Sequence, residues 1–243
     1  MKIYLTVNFF ILFLLTSISY AHHKIYSPRV EEGRQSAEWR GHFDLDNRSS
    51  KNLAHHHVLE TEYSWSNFWQ TELEFHISDL EGTPMDWEKT EFQNQVQLVD
   101  SFSFAAALYF SYNFVTKGEG IDEIEYKYLN ELNNNNFKLI TNIIFEKKVG
   151  KHSSGSTEFT ISNYFLYQNP IFNDYYFSIL GFSEFGKLSN FSTYHGQEHQ
   201  YGFQIEKELK INAVDYEFAI GYLRSLTDSS ADNTLIWNFE YEF

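Results

Sequence analysis

The final eleven residues, Asn233 to Phe243, constrain the fold more than any other stretch. From Leu235 every second side chain is large and apolar: Leu235, Trp237, Phe239, Tyr241 and Phe243. Ile236, Asn238, Glu240 and Glu242 lie between them. Side chains on a strand alternate between its two faces, so this is a two-faced strand running to the C-terminus. The same period of two recurs along the chain. It predicts about twelve strands, at 35–46, 55–64, 68–77, 88–98, 101–113, 122–132, 137–147, 156–168, 174–186, 197–209, 213–225 and 233–243. Their connections alternate in length. Short ones fall at 65–67, 99–100, 133–136, 169–173 and 210–212. Longer polar ones fall at 47–54, 78–87, 114–121, 148–155, 187–196 and 226–232. Short turns on one side and long loops on the other are the pattern of an outer-membrane barrel with both termini on the periplasmic side. The fold class expected is all-β: a transmembrane antiparallel up-and-down β-barrel of about 12 strands.

Alternation alone also fits a soluble sandwich or a lipocalin-like barrel, where the apolar row faces inward. Three features favour the membrane. The strands exceed the five or six residues usual in globular sheets. Aromatics crowd strand ends, as at Tyr63, Trp65, Phe68 and Trp69, where interfacial girdles belong. The proposed outer rows are also almost free of charge: Ala37, Trp39, Gly41, Phe43, Leu45, and again Phe102, Phe104, Ala106, Leu108, Phe110. A Lys or Arg at mid-membrane costs roughly 2–4 kcal/mol, which accounts for that exclusion. Aromatics are 19% of the chain, yet mean hydropathy is −0.43. A barrel reconciles the two, because it averages an apolar face with a wet one. Asn94, Asn130 and Asn163 interrupt the outer rows, and residues 175–185 are apolar in both phases.

Met1-Lys2, an apolar run from Ile3 to Ile18 and Ser19-Tyr20-Ala21 describe a secretory signal cleaved after Ala21. Residues 1–21 are thus expected as signal peptide, 22–34 as a periplasmic N-terminal extension and 35–243 as the barrel. The signal carries one base, Lys2, and no acid, so its loss deepens the formal charge of −15 by one. Such a charge excludes nucleic acid as a partner. No cysteine is present, which excludes disulfides and thiolate metal ligands.

Ionisable side chains concentrate on the inward rows. Glu38, Arg40 and His42 lie on the first strand, Glu60 and Glu62 on the second, Glu72, Glu74 and His76 on the third, and Glu125 and Lys127 on the sixth. These are the candidates for a lumen or solute pathway. Clustered carboxylates need a cation, and Arg40 is placed to supply it. The same groups, with Gln93, Gln95 and Gln97, also suit a plain side-chain plug of a narrow lumen. If the lumen is a pathway, its acid excess favours cations or neutral solutes over anions.

His55-His56-His57 reads as a solvated polar loop. Neighbouring strand residues point to opposite faces, so the three imidazoles do not converge, and neither a metal ligand nor a cofactor is assigned. His76-Ile77-Ser78 has the i, i+2 spacing of a His and Ser on one face. It is similar to the His-x-Ser of outer-membrane phospholipase A. Asp79-Leu80 follows here where that family has Asn-Gly, and His76 sits in the inward row. No catalytic residue is assigned.

The aromatic last strand ending on Phe243 resembles the terminal sorting strand of bacterial outer-membrane barrels. That resemblance implies outer-membrane lipid and the barrel-assembly machinery as partners. Tyr26-Ser27-Pro28-Arg29-Val30-Glu31-Glu32-Gly33, followed by Glu38-Trp39-Arg40-Gly41, resembles the opening of a family of uncharacterised proteobacterial outer-membrane proteins. The family implies an exported barrel in the cell outer membrane and brings no activity with it. The function expected is a narrow channel or uptake protein for small solutes. An outer-membrane lipid or peptide hydrolase and a non-conducting surface-binding barrel are the alternatives.

Overall fold

The computed structural model describes residues 23–243 apart from 80–83, 117–119, 152, 154 and 213. The expected signal peptide lies outside the described residues. Twelve strands follow in chain order: β1 (Gln35–Leu45), β2 (His55–Ser66), β3 (Trp69–Ser78), β4 (Asp86–Asp100), β5 (Phe104–Val115), β6 (Glu123–Asn133), β7 (Phe137–Lys148), β8 (Thr157–Phe172), β9 (Tyr175–Lys187), β10 (Glu198–Ile211), β11 (Val214–Ser225) and β12 (Asn233–Glu242). Each pairs antiparallel with the next, and β12 returns to pair with β1, from Ser36 opposite Glu242 to Leu45 opposite Asn233. The result is a closed 12-stranded β-barrel, which leaves no free sheet edge.

The expected strands are all present, with β8 the largest departure. It runs to Phe172 through what reads as a five-residue connection. The turn is only Asn173-Asp174, both with positive φ (41° and 65°), as a two-residue type I′ hairpin requires. The pairing of β8 with β9 is irregular between Tyr167 and Phe172, around Pro170, which has no N–H to give the ladder.

Large apolar side chains stand exposed all round the outer face, among them Trp39, Phe92, Leu108, Phe203 and Ile220, the last 64% exposed. An apolar row turned outward over a polar interior is the arrangement of an outer-membrane barrel and the reverse of a soluble one. Near the short turns, Tyr63 meets Trp65 edge-on at 4.5 Å and Trp65 stacks on Trp69 at 5.9 Å between ring centres. The polar interruptions belong to this region and are satisfied. Trp69 Nε1 donates to Asn94 at 3.1 Å, Asn130 donates to the Thr141 carbonyl at 3.0 Å, and the Thr141 hydroxyl donates to Asn163 at 2.9 Å.

The closing seam between β1 and β12 is latched at both ends. At the short-turn end Arg34 meets Glu62, Glu240 and Glu242. At the long-loop end Arg48 binds Asp46 and the carbonyls of Asp228 and Ser230. That guanidinium holds the Asp46 carboxyl well below the usual carboxylate range.

Residues 23–34 do not extend away from the barrel as a periplasmic extension would. They run inside it. Gly33, with φ +82°, reverses the chain below β1, and its N–H bonds to Ser64 at 2.9 Å. From there back to His23 the segment lies in the lumen, with Tyr26 and Val30 only 4% and 6% exposed. Its cations explain the difference. Lys24, Arg29 and Arg34 face a lumen lined by acids, where leaving those carboxylates uncompensated would be costly.

Candidate functional site

The lumen has two unlike walls, and the pairing register creates the first. Glu38 stands opposite Glu60, Glu60 opposite Glu74, and Glu74 opposite Glu91, so β1 to β4 carry one unbroken row of carboxylates. All four are buried. Arg40, one inward position above Glu38, reaches three of them: its Nη1 lies 2.6 Å from Glu38 and 2.5 Å from Glu60, and its Nη2 lies 2.7 Å from Glu74. Lys89 stands 3.6 Å from Glu91, and Lys127 stands 2.8 Å from Glu125.

The inner segment brings further cations. Lys24 pairs with Glu60 and lies 3.5 Å from Glu72 and 3.7 Å from Glu38. Arg29 donates to Glu131 at 2.8 Å and pairs with Asp100 at 2.5 Å. Tyr26 packs against Tyr109, Ala107 and Leu129, with the Lys127 ammonium 4.0 Å from its ring centre. Its backbone is held by one side chain. Asn142 accepts from the Tyr26 N–H at 2.7 Å and donates to the Tyr26 carbonyl at 2.9 Å, much as a strand partner would. Gln97 accepts from the Val30 N–H at 2.6 Å, and Gln95 donates to the Ser27 carbonyl at 2.9 Å. Among the described residues, none from His23 to Glu32 pairs with a strand through backbone groups on both sides. Side chains alone hold the segment in place.

The opposite wall is mixed: Glu206, Glu217 and Glu240 line the cavity there, beside an apolar patch. Leu180, Phe182, Leu223 and Ile236 form a buried cluster on β9, β11 and β12, and Ile25 and Tyr164 pack against it. This patch is why residues 175–185 read as apolar in both phases: Ile179 points out at 48% exposure, while Leu180 and Phe182 point in.

Between the inner segment and the walls lies a cavity of about 340 Å³. It reaches from His23, His42 and His56 to Glu62, Arg34 and Glu240. Two buried or half-buried groups along this wall bring ligand atoms within 4.8 Å of one another: Glu74, His76 and Glu91, and Glu60, Glu62 and Glu72. Both groups already face cations, Arg40 and Lys89 in the first case and Lys24 in the second.

All ten sequence candidates (Glu38, Arg40, His42, Glu60, Glu62, Glu72, Glu74, His76, Glu125 and Lys127) line the lumen, where the structure brings them together on the wall from β1 to β6. His56 corrects the reading of its triplet as a solvated loop. It is buried on β2, with its ring 5.4 Å from that of His42 and 5.2 Å from that of His76. His55 and His57 point to the other face, and His57 packs against Trp39 and Trp237. Sequence reasoning missed Lys24, Arg29, Arg34, Lys89, Glu91 and Asn142. Regular spacing of three cations at 24, 29 and 34 within an acidic chain was the available signal for the segment. His76 and Ser78 do share a face, but both are buried in the lumen, away from lipid, and Ser78 bonds to Glu88.

No family model and no curated protein matches this sequence. Among solved structures, the chain is similar to the NanC porin, with a TM-score of 0.59 at 11% identity over 85% of this chain and 98% of that one. It is also similar to the KdgM porin, solved in complex with disordered oligogalacturonate, with a TM-score of 0.57 at 12% identity over 86% and 99%. At such identities the likeness is one of fold, that of outer-membrane porins.

Proposed function

We propose that this chain is an outer-membrane channel for small solutes, closed in the state described by its own N-terminal segment. One observation carries the reading. The lumen holds a length of chain and still leaves a polar cavity of about 340 Å³ beside it. A barrel meant only as a scaffold would have filled that space with its own side chains. The porin-like fold supports the same conclusion.

The charge of the wall supports cations or neutral solutes. It does not favour carrying over to this chain a polyanion such as the oligogalacturonate bound by KdgM. Carboxylates along a narrow lumen repel anions and concentrate cations.

The test is single-channel conductance of the refolded protein in a planar bilayer under a salt gradient. Wild type is compared with the triple variant Lys24→Ala, Arg29→Ala, Arg34→Ala. The expected result is a brief or small current in wild type and a several-fold longer open time in the variant, with a cation-selective reversal potential. Two folded but silent proteins would overturn the reading.

A further inference from the structure

Four histidines from four different elements meet where the cavity approaches the long loops. His23 comes from the inner segment, His42 from β1, His56 from β2 and His76 from β3. Neighbouring rings along this series are 4.6, 5.4 and 5.2 Å apart between centres. At each end of the series two ring nitrogens face one another: His23 Nδ1 and His42 Nδ1 at 3.2 Å, and His56 Nε2 and His76 Nδ1 at 3.3 Å. Ligands about 2.0–2.1 Å from a tetrahedral Zn²⁺ stand roughly 3.3–3.4 Å from each other, so both pairs have the spacing of two ligands on one ion.

The surroundings orient these rings as metal ligands are oriented. Asp44 accepts from the Thr234 hydroxyl at 2.7 Å, and Thr234 accepts from the Gln200 amide at 2.9 Å. That chain fixes the Gln200 oxygen toward His23 Nε2, 2.8 Å away. The proton of His23 therefore sits on Nε2, and the lone pair of Nδ1 points at His42. At the other end Glu74 lies 2.8 Å from His76 Nε2 and favours the proton there, leaving the Nδ1 lone pair directed at His56. Glu88 stands 3.4 Å from His56 Nε2 as a further oxygen donor. Holding the far nitrogen of a ligating histidine by a carboxylate or amide oxygen is the usual outer support of a metal site.

We infer that these two imidazole pairs are binding stations for a divalent transition-metal cation such as Zn²⁺ or Cu²⁺. On binding, His42 and His56 shift their ring proton to the other nitrogen, so no net proton is required. Two protein nitrogens per station, completed by water or Glu88, make binding weak enough for release, as conduction through successive sites demands. The acidic row of Glu74, Glu60 and Glu62 continues toward the short-turn end. As the cargo class of the channel, this cation rests on the channel reading; as a site, it does not.

The experiment uses untagged, refolded mature protein. Zn²⁺ binding is followed by calorimetry and Cu²⁺ binding by electron paramagnetic resonance. Wild type is expected to bind Zn²⁺ and to show imidazole-nitrogen splitting of the Cu²⁺ signal. His42→Ala should weaken Zn²⁺ binding by about tenfold or more and simplify that splitting. His57→Ala, on the outer face, and His195→Ala, in an exposed loop, should bind as wild type does. Gel mobility with and without heating shows that each variant is folded. Wild-type binding in both His42→Ala and His76→Ala would overturn the inference. So would a site that needs only His23, which would assign the metal to the inner segment alone. Silent bilayers with His42-dependent Zn²⁺ binding would remove the channel and keep the site, whereas a conducting channel without such binding would do the opposite.

Discussion

From β1 to β6 the lumen-facing rows carry Glu38, Glu60, Glu62, Glu72, Glu74, Glu91, Glu125 and Glu131, against Arg40, Lys89 and Lys127 from the same wall. Facing them, β7 to β12 mix Ile140, Asn142, Ser162, Leu180, Leu223 and Ile236 with the carboxylates of Glu206, Glu217 and Glu240. Both walls alternate with the same period and close the same tube. The second wall is mixed: its apolar groups pack on one another, Glu206 is held by Ser178 and Tyr164, and Asn142, Gln200 and Glu240 turn toward the inner segment. The first wall is incomplete. Its acids outnumber its bases, and Lys24, Arg29 and Arg34 supply part of the remainder. The first wall therefore holds the segment chiefly by charge, and the second by packing, the Asn142 and Gln200 amides and the pair of Glu240 with Arg34.

Substitutions on each wall test that difference. Arg40→Ala should have the largest effect, because it leaves Glu38, Glu60 and Glu74 facing one another in a buried row. A loss of about 3–5 kcal/mol is expected, read as a lower urea midpoint for unfolding in detergent. A midpoint within error of wild type would mean that the cluster is hydrated and the walls are less unlike than described. On the second wall, Asn142→Ala removes two hydrogen bonds from Tyr26 and should cost about 1–3 kcal/mol of segment docking, with the barrel itself unaffected. Protease susceptibility of residues 23–34 in otherwise folded protein measures it; no change would show that the segment is held without this amide.

The control that touches neither wall is Asp46→Asn, at the outer latch, where a buried carboxylate accepts from Arg48 and from the Asp232 N–H; it is expected to cost about 1–2 kcal/mol. Because Arg48 lowers the folded-state pKa of Asp46, this contribution is present above the ordinary carboxylate range. It is lost as pH falls below about 4, toward the depressed value. The stability difference between wild type and Asp46→Asn should therefore shrink on acidification, while a difference that grew would reverse the assignment.

The strands and their outward faces were legible because lipid punishes charge on one face, as the uncharged run Trp39, Gly41, Phe43 on β1 records. The inward candidates followed from the same alternation. Which of them meet was not legible, because it depends on register. The shared level of His42, His56 and His76 is set by pairing across three strands, and spacing within any one strand carries no trace of it. The placement of residues 23–34 was hidden for a different reason. A segment held through side chains needs no strand period, so Lys24, Tyr26 and Arg29 leave the same pattern in a solvated tail as in a lumen.

The short hinge at Gly33 and Arg34 gives the segment the standing of a tethered ligand. A ligand joined to its site by so short a link experiences an effective concentration in the millimolar range, roughly independent of how much protein is present. Modest affinity would then keep it bound most of the time, and in the proposed channel it would leave and return without dissociating from the molecule. In the proposed channel, a solute entering from the loop side would have to compete with that local concentration as well as with the contacts themselves. Occupancy of the lumen would thus respond to solute abundance as a competition, with the threshold set by the length of the hinge.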